Sequence, residues 1–336
     1  MQLGLPLLIC LAVAASQTAT SPAPIQERIE RVRAELYSRT DRLSENVKEL
    51  KQILALDPRS ADAHMLIGIA YSTWGSKELK GEAIGEFRQA LDLNPRLVQV
   101  HFFLAHLYLD LGRADRARAE LQAGLAQTPG NPEFLALLGE AERQLKNPQR
   151  AVEVTRQALQ ADPSFAPARY YLGLALRDAG QRDAAITELE QVVRARGPVA
   201  DAYLALGTAY VDAGRAADAI DTLNQALRLD PVRPALHIAL ARAYRSKGLL
   251  EKADAQLLLA KPTRASLSDS SDYPYQQVEL DFHLERGLIK AQRGQLAAAA
   301  DAFKKVLDLE PNHEAATRGL ADVNRRLRAK KPGGGR

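Results

Sequence analysis

The sequence predicts an all-α chain of antiparallel helix hairpins stacked as a solenoid. Three observations lead there. Pro95, Pro129 and Pro163 recur 34 residues apart, Pro231 follows at twice 34, and Gly197-Pro198 fills the missing place. A fixed period in this range marks a repeat architecture. Each period also holds two short amphipathic stretches joined by a tight, glycine-bearing link, too small to bury its own apolar face unless neighbours stack on it.

The stretch from Ala200 to Pro231 shows what each position does. Leu206 and Gly207 stand seventh and eighth, Tyr210 eleventh and Gly214 fifteenth. Gly207 and Ala219 are small, so two helix backbones can approach. Tyr210 is a large anchor between helices. Gly214 ends the first helix, where a cap often needs positive φ. Ala219, Leu223 and Ala226 line one face of the second helix, and Asp230-Pro231 closes it, since proline cannot continue a helix.

The same residues recur in register. Gly68, Tyr71, Ala83, Phe87, Ala90 and Pro95 form the first clear unit. Ala105, Tyr108, Gly112, Ala117, Leu121 and Pro129 follow. Gly139, Ala151, Ala158 and Pro163 mark the third, which carries Glu142 where the aromatic belongs. Gly173, Gly180, Ala185 and Leu189 mark the fourth. Ala241, Tyr244, Gly248, Ala253 and Leu257 mark the sixth, and Gly287, Gly294, Ala299, Phe303 and Pro311 the seventh. This pattern resembles the tetratricopeptide repeat family over nearly everything from Ala61 to Pro311. The resemblance implies a right-handed superhelix that binds protein segments. The expected packing residues are therefore Gly68, Tyr71, Tyr108, Gly139, Gly173, Gly207, Tyr210, Ala219, Tyr244 and Gly287.

The order of the chain follows from this register. Residues 1–19 form a candidate signal peptide, because Leu3 to Ala15 is apolar and short for a membrane span. Leu7-Leu8-Ile9-Cys10 matches a lipoprotein box only in part, with bulky Ile9 where a small residue is usual. Residues 20–24 form a linker, and 25–60 an N-terminal helical cap or degenerate repeat, with a coiled-coil helix as its alternative. The array runs over 61–313. A longer turn at Thr73 to Ser76 carries Trp74, either an exposed anchor or a lid on the hairpin edge. A loop is inserted near 263–274, rich in Ser and Asp. A capping helix at 314–330 and a flexible basic tail at 331–336 end the chain.

Composition narrows the chemistry. The chain has 336 residues and a net charge of +4, too little charge to argue for nucleic acid. Cys10 is the only cysteine, so no disulfide forms within one chain. His64, His101, His237 and His283 each stand fourth in a separate unit, which keeps them from converging on a metal. His101 and His106 are five apart, on mismatched helix faces. No His-Glu-x-x-His, Gly-x-Ser-x-Gly or phosphate loop occurs. Glu140 and Glu142 are two apart on a helix and share no face; a solvated helix surface is expected for them. The sequence therefore predicts no enzyme, no cofactor, no metal and no nucleic acid.

What remains is the inner surface. In the family it resembles, the second, fifth, ninth, twelfth and thirteenth residues of a unit face a concave groove. Phe102, His106, Tyr170, Arg177, Leu204, Asp212, Arg242 and Arg245 are the candidate partner-binding residues there, with Phe102 and Tyr170 as aromatic anchors. The mixture suits a peptide or helical segment of a protein partner. Chaperone-tail adaptors of the family use a clamp of Lys, Asn and Arg; this chain has Met65, Phe102, Ala136, Tyr170, Leu204, Ile238 and Leu284 at the lysine place. The leading function is a non-catalytic scaffold of a bacterial chain, periplasmic or secreted once the leader is cleaved, with no membrane contact thereafter. A lipoprotein or cytoplasmic chain is the lesser alternative. A structural subunit of an envelope assembly or export complex is a second reading. An enzyme or enzyme-regulatory subunit would need a site near the Ser/Asp-rich loop.

Overall fold

A computed structural model of the chain describes residues 23–38, 42–74, 76–196, 199–260 and 275–329. The expected leader with Cys10, the Gly197-Pro198 place, the 263–274 loop and the 331–336 tail lie outside the described residues. Two compact units divide the chain, one ending at Pro163 and one beginning at Ser164. Every regular element described is a helix. The first unit holds α1 (Ala23–Ser38), α2 (Leu43–Leu56), α3 (Ala61–Trp74), α4 (Lys77–Leu93), α5 (Val98–Asp110), α6 (Ala114–Gln127), α7 (Pro132–Gln144) and α8 (Pro148–Ala161). The second holds α9 (Ala166–Asp178), α10 (Arg182–Arg196), α11 (Ala200–Asp212), α12 (Ala216–Leu229), α13 (Pro234–Ser246), α14 (Leu250–Leu259), α15 (Tyr275–Gln292), α16 (Leu296–Leu309) and α17 (Glu314–Ala329). Helices pair as hairpins, and consecutive hairpins stack within each unit.

Each hairpin closes at one small residue. The Cβ that Gly207 lacks would stand 2.6 Å from Leu223 Cγ on the second helix of its hairpin. Gly173 meets Leu189 at 2.6 Å, Gly68 meets Phe87 at 2.7 Å, Gly287 meets Phe303 at 2.7 Å, and Gly139 meets Thr155 at 2.2 Å. The facing side chains are fully enclosed, so no room exists for a methyl group without moving a helix. Ala105 and Ala241, likewise fully enclosed, hold this place in the other two register-locked hairpins.

Two polar ties flank that contact. The residue before the packing side chain reaches back to the fourth residue of its own hairpin. His64 Nδ1 lies 2.6 Å from Glu86, His101 Nδ1 2.8 Å from Glu120, Arg169 donates to Glu188 at 2.8 Å, and His237 Nδ1 lies 2.8 Å from Gln256. The residue after the packing side chain reaches forward to the tyrosine of the next hairpin. Arg88 donates to the Tyr108 hydroxyl at 3.0 Å, and Tyr210 donates to Glu190 at 2.8 Å. Burial first, and the Glu190 bond second, push the Tyr210 phenol up to about 12. A cation covers the outer face of that ring, with the Arg215 guanidinium 4.5 Å from its centroid.

The first helices from α5 to α15 end alike. Gly214, at φ +75°, lets its N–H bond the carbonyl of Val211 while Arg215 N–H bonds that of Tyr210. This double closure satisfies carbonyls the helix leaves open. The third hairpin makes the same closure with Lys146 at φ +63°, its N–H on Arg143 and Asn147 N–H on Glu142. An L-residue there carries a Cβ clash that glycine avoids.

At the chain's start, α1 packs Ile25, Ile29, Val32 and Leu36 inward and leaves a polar outer face. Its helix takes in Ala23 and Pro24, two residues of the expected linker. Arg28 and Arg31 both donate to Glu49 of α2, and Arg33 to Asp62 of α3. Trp74 is 42 % exposed and stacks on Tyr71 at 6.2 Å. Around the inserted loop, α14 stops early at Leu259, while α15 begins at Tyr275, more than a turn ahead of its register. The extra turn is anchored by Val278, which packs with Leu257 and Ala260.

Two outcomes follow from this geometry. Gly207→Leu lowers the denaturant midpoint, equivalent to at least about 1–3 kcal/mol of overpacking; an unchanged midpoint would disprove the pairing with Leu223. Lys146→Gly raises stability by about 0.5–1 kcal/mol in thermal melts, because it relieves the left-handed strain.

Candidate functional site

The first helices of successive hairpins touch within each unit: α3 with α5 and α5 with α7 in one, α9 with α11, α11 with α13 and α13 with α15 in the other. They form one row in each unit, and the sequence-predicted residues lie on these helices. In the first unit, half-buried Phe102 on α5 sits edge-on to His106 at 5.7 Å and tilts onto Phe134 of α7 at 5.6 Å. Phe134 in turn occupies space beside Gly124 of α6, where a Cβ would come within 2.0 Å of its ring. Phe102 thus stands in an aromatic seam with one side still open. Asp110, at the end of α5, accepts from Lys80 Nζ at 3.1 Å. On α7, half-buried Glu133 has its carboxyl pushed up by burial.

Glu140 and Glu142 correct an expectation. They are 8 % and 7 % exposed rather than on a solvated helix face. The reason is that α7 is flanked by α5, α6 and α8 at once, so even its polar positions are covered. A buried carboxylate needs a partner, and each has its own. Arg143 grips Glu140 through two bonds of 2.8 Å, and Gln144 adds a third at 2.9 Å. Glu142, in the tyrosine's place, accepts from Asn147 Nδ2 at 2.9 Å and faces Arg118 at 3.9 Å. The bonds that hold the two carboxylates run to different groups, Arg143 and Gln144 for Glu140 and Asn147 for Glu142, which does not make them a working pair.

In the second unit, Tyr170, Leu204 and Val211 are half-buried against one apolar cluster. Tyr170 tilts onto Tyr171 at 5.6 Å. Arg177 on α9 donates to Asp178 at 2.9 Å and reaches Asp212 of α11 at 3.9 Å. Arg242 and Arg245 on α13 converge on one carboxylate, Glu285 of α15, with Arg242 at 3.7 Å and Arg245 in closer contact. Buried Asp201 pairs with Arg233 at the start of α13. In the first unit α5 itself sets Phe102 beside His106; in the second, α9 and α11 bring Arg177 to Asp212, and α13 aims Arg242 and Arg245 at the same carboxylate. Tyr170 and Leu204 lie against one cluster.

Glu285 was not among the sequence-predicted residues, although a signal existed. The sixth place of the other hairpins holds Leu66, Phe103, Leu137, Tyr171, Ala205 and Ala239. A single glutamate in that apolar column, 1 % exposed, calls for cations on the preceding helix. Asp254 on α14 was also missed. It accepts from Lys290 at 2.9 Å and from Arg293 at 2.8 Å, because Lys290 replaces the tyrosine of the last hairpin. Leu258, whose forward tie would need that tyrosine, is left 78 % exposed. Among the described residues, no three His, Cys, Asp or Glu side chains are placed to hold a metal ion, and no helix is long and apolar enough to cross a membrane.

The Glu285 site sets up a paired test. Replacing both Arg242 and Arg245 by Met leaves a buried, uncompensated carboxylate and costs about 3–5 kcal/mol in denaturant unfolding. Glu285→Leu, which restores the column's apolar chemistry, is neutral to mildly stabilising. The reverse ranking would show that Glu285 is not held as described.

Comparison with known proteins follows the same lines. Tetratricopeptide repeat models match residues 81–141, 132–165, 170–234, 204–266 and 284–331, together more than half of the chain. No curated protein matches it in sequence. Among solved structures, a chain from the APC/C hetero-tetramer Cut9-Hcn1 is 18 % identical over 92 % of this chain, with a TM-score of 0.63, and this chain spans 58 % of its length. PilW, a type IV pilus biogenesis factor, is 20 % identical over 67 % of this chain and 99 % of its own, with a TM-score of 0.53. MamA from Desulfovibrio magneticus is 27 % identical over 52 % of this chain and 97 % of its own, with a TM-score of 0.44. The first two likenesses speak for the fold alone, and the third superposition is too loose to argue from.

Proposed function

The chain belongs to the tetratricopeptide repeat family, and from that premise we propose that it is a non-catalytic scaffold that holds a peptide or helical segment of a partner protein along its first-helix rows. The observation that carries this reading is the mixed character of those rows. Phe102 and Tyr170 present half-buried aromatic surface, and an aromatic anchor offers rigid contact area at low entropic cost. Leu204 adds apolar area beside Tyr170. The cations are oriented rather than loose: Arg177 is steadied by Asp178 and Asp212, and Arg242 and Arg245 by Glu285. A guanidinium fixed in this way keeps donors for a carbonyl or carboxylate without losing side-chain entropy on binding.

An acidic chain terminus is disfavoured as the ligand, because the lysine place of the family's clamp is apolar or aromatic in every unit. Extended or helical segments with apolar side chains fit the rows better.

The reading is tested with single variants once a bound polypeptide has been identified by cross-linking and mass spectrometry. Phe102→Ala, Tyr170→Ala and Arg177→Ala each weaken that polypeptide by about tenfold in titration calorimetry, with circular dichroism melts within a few degrees of the parent. Full affinity together with a large fall in melting temperature would make these residues core rather than contact, and the reading would fail.

A further inference from the structure

The tie between the fourth residue and the residue before the packing side chain is matched in every register-locked hairpin but one. Polar meets polar in His64–Glu86, His101–Glu120, Arg169–Glu188 and His237–Gln256. In the third hairpin these two places hold Leu135 and Val154, both buried, and in the fifth Tyr203 and Thr222. By residue type each is a consistent pair. In the last hairpin the two places hold His283 and Ala302. The imidazole is 9 % exposed, and its Nδ1 is enclosed with no hydrogen-bond partner among the described residues. A buried polar atom without a partner is costly, and a charged one more so.

The surroundings make matters worse for a proton. Phe282 stands edge-on to the ring at 5.2 Å. The charges that bear on it are both positive, Lys305 of α16 and Arg286 of α15 itself. Of the carboxylates on neighbouring elements, Glu285 is engaged by Arg242 and Arg245 of α13, Asp254 of α14 by Lys290 and Arg293, and Asp322 of α17 by Arg325 and Arg326, while Asp301 and Asp308 of α16 face solvent. Glu279, one turn earlier on α15, is half-buried and does not bond the ring.

We propose that the last hairpin, α15 and α16 with α17 on its end, is an acid-released segment of the second unit, triggered by proton uptake on His283. The other paired histidines have an acceptor in place for a second N–H; His283 has a methyl group. Burial first, then Lys305 and Arg286, push its imidazole down from 6.5 to about 4. Between those values the opened segment takes up a proton that the closed one refuses. Stability therefore rises with pH across this window, and is lost as pH falls from 6.5 towards 4. Among the described residues α15 touches only α13, α14, α16 and α17, so its release requires none of the earlier hairpins to open. The consequence is a binding row that shortens from one end in acid.

The experiment is hydrogen exchange on the full chain, read as protection factors at pH 6.5 and pH 4.5, with α11 and α12 as the internal control. Local protection reports local opening. Protection in α15–α17 falls by about 40-fold relative to α11–α12 between these two pH values. Two variants isolate the trigger. His283→Leu copies the Leu135 solution, and Ala302→Gln supplies the acceptor that Gln256 gives His237. Each keeps the ratio of protection between the two segments constant over the same pH range, while Glu285 and its arginines stay in place. An unchanged ratio in the parent chain would overturn the proposal. So would a fall in His283→Leu equal to that of the parent, which would put the acid response on the carboxylates.

Discussion

The whole arrangement depends on how closely two helix backbones can come. At Gly207 the second helix lies so near that Leu223 fills the space of a Cβ, and the same steric fact recurs at Gly68, Gly139, Gly173 and Gly287. Once this distance is set, the residues on either side of the packing side chain have no freedom of address. The one before it meets the partner helix of its own hairpin, and the one after it meets the following hairpin. That is why Glu86, Glu120, Glu188 and Gln256 all bond backward, whereas Arg88 and Glu190 bond forward. The apolar contact supplies most of the stabilisation by burial, and the polar ties fix rotation about it.

Departures from the register can be read as local repairs. Glu142 in the tyrosine's place recruits Asn147 and Arg118. Lys290 in the same place of the last hairpin turns to Asp254, and Leu258 loses its counterpart. Lys146 accepts a left-handed backbone so that the turn keeps its double closure. Each repair preserves the helix distance and alters what surrounds it, which is the order expected if close packing is the stronger requirement.

Much of this was legible in the sequence because the period repeats the same demand. Gly207, Tyr210 and Gly214 could be given places from spacing alone; in the structure Gly207 faces Leu223, Tyr210 bonds Glu190 and Gly214 takes a φ of +75°. The charged residues were harder. Glu140 and Glu142 look solvated when one helix is considered by itself, because helical periodicity describes one face against one partner. Burial on a helix with neighbours on several sides is a property of the stack. Glu285 was overlooked for a related reason. Its meaning lies in the column of sixth residues, Leu66 to Ala239, and in two arginines on another helix. Comparing columns across the repeats, rather than faces along one helix, would have exposed it and His283 together.

The ion pairs along the second unit bear on what the proposed rows can recognise. Arg177 to Asp212, Arg233 to Asp201, and Arg242 with Arg245 to Glu285 each join consecutive first helices. A guanidinium so paired has its charge largely neutralised within the chain, and displacing its carboxylate would leave that group without compensation, Glu285 most of all. A strongly acidic ligand would therefore compete with the stack for the same cations and loosen the seams it needs. A segment that contributes apolar side chains and backbone carbonyls would not. Under the proposed function, the arginines space the first helices of the second unit and offer only their remaining donors, and Tyr170 and Leu204 supply the apolar surface beside them.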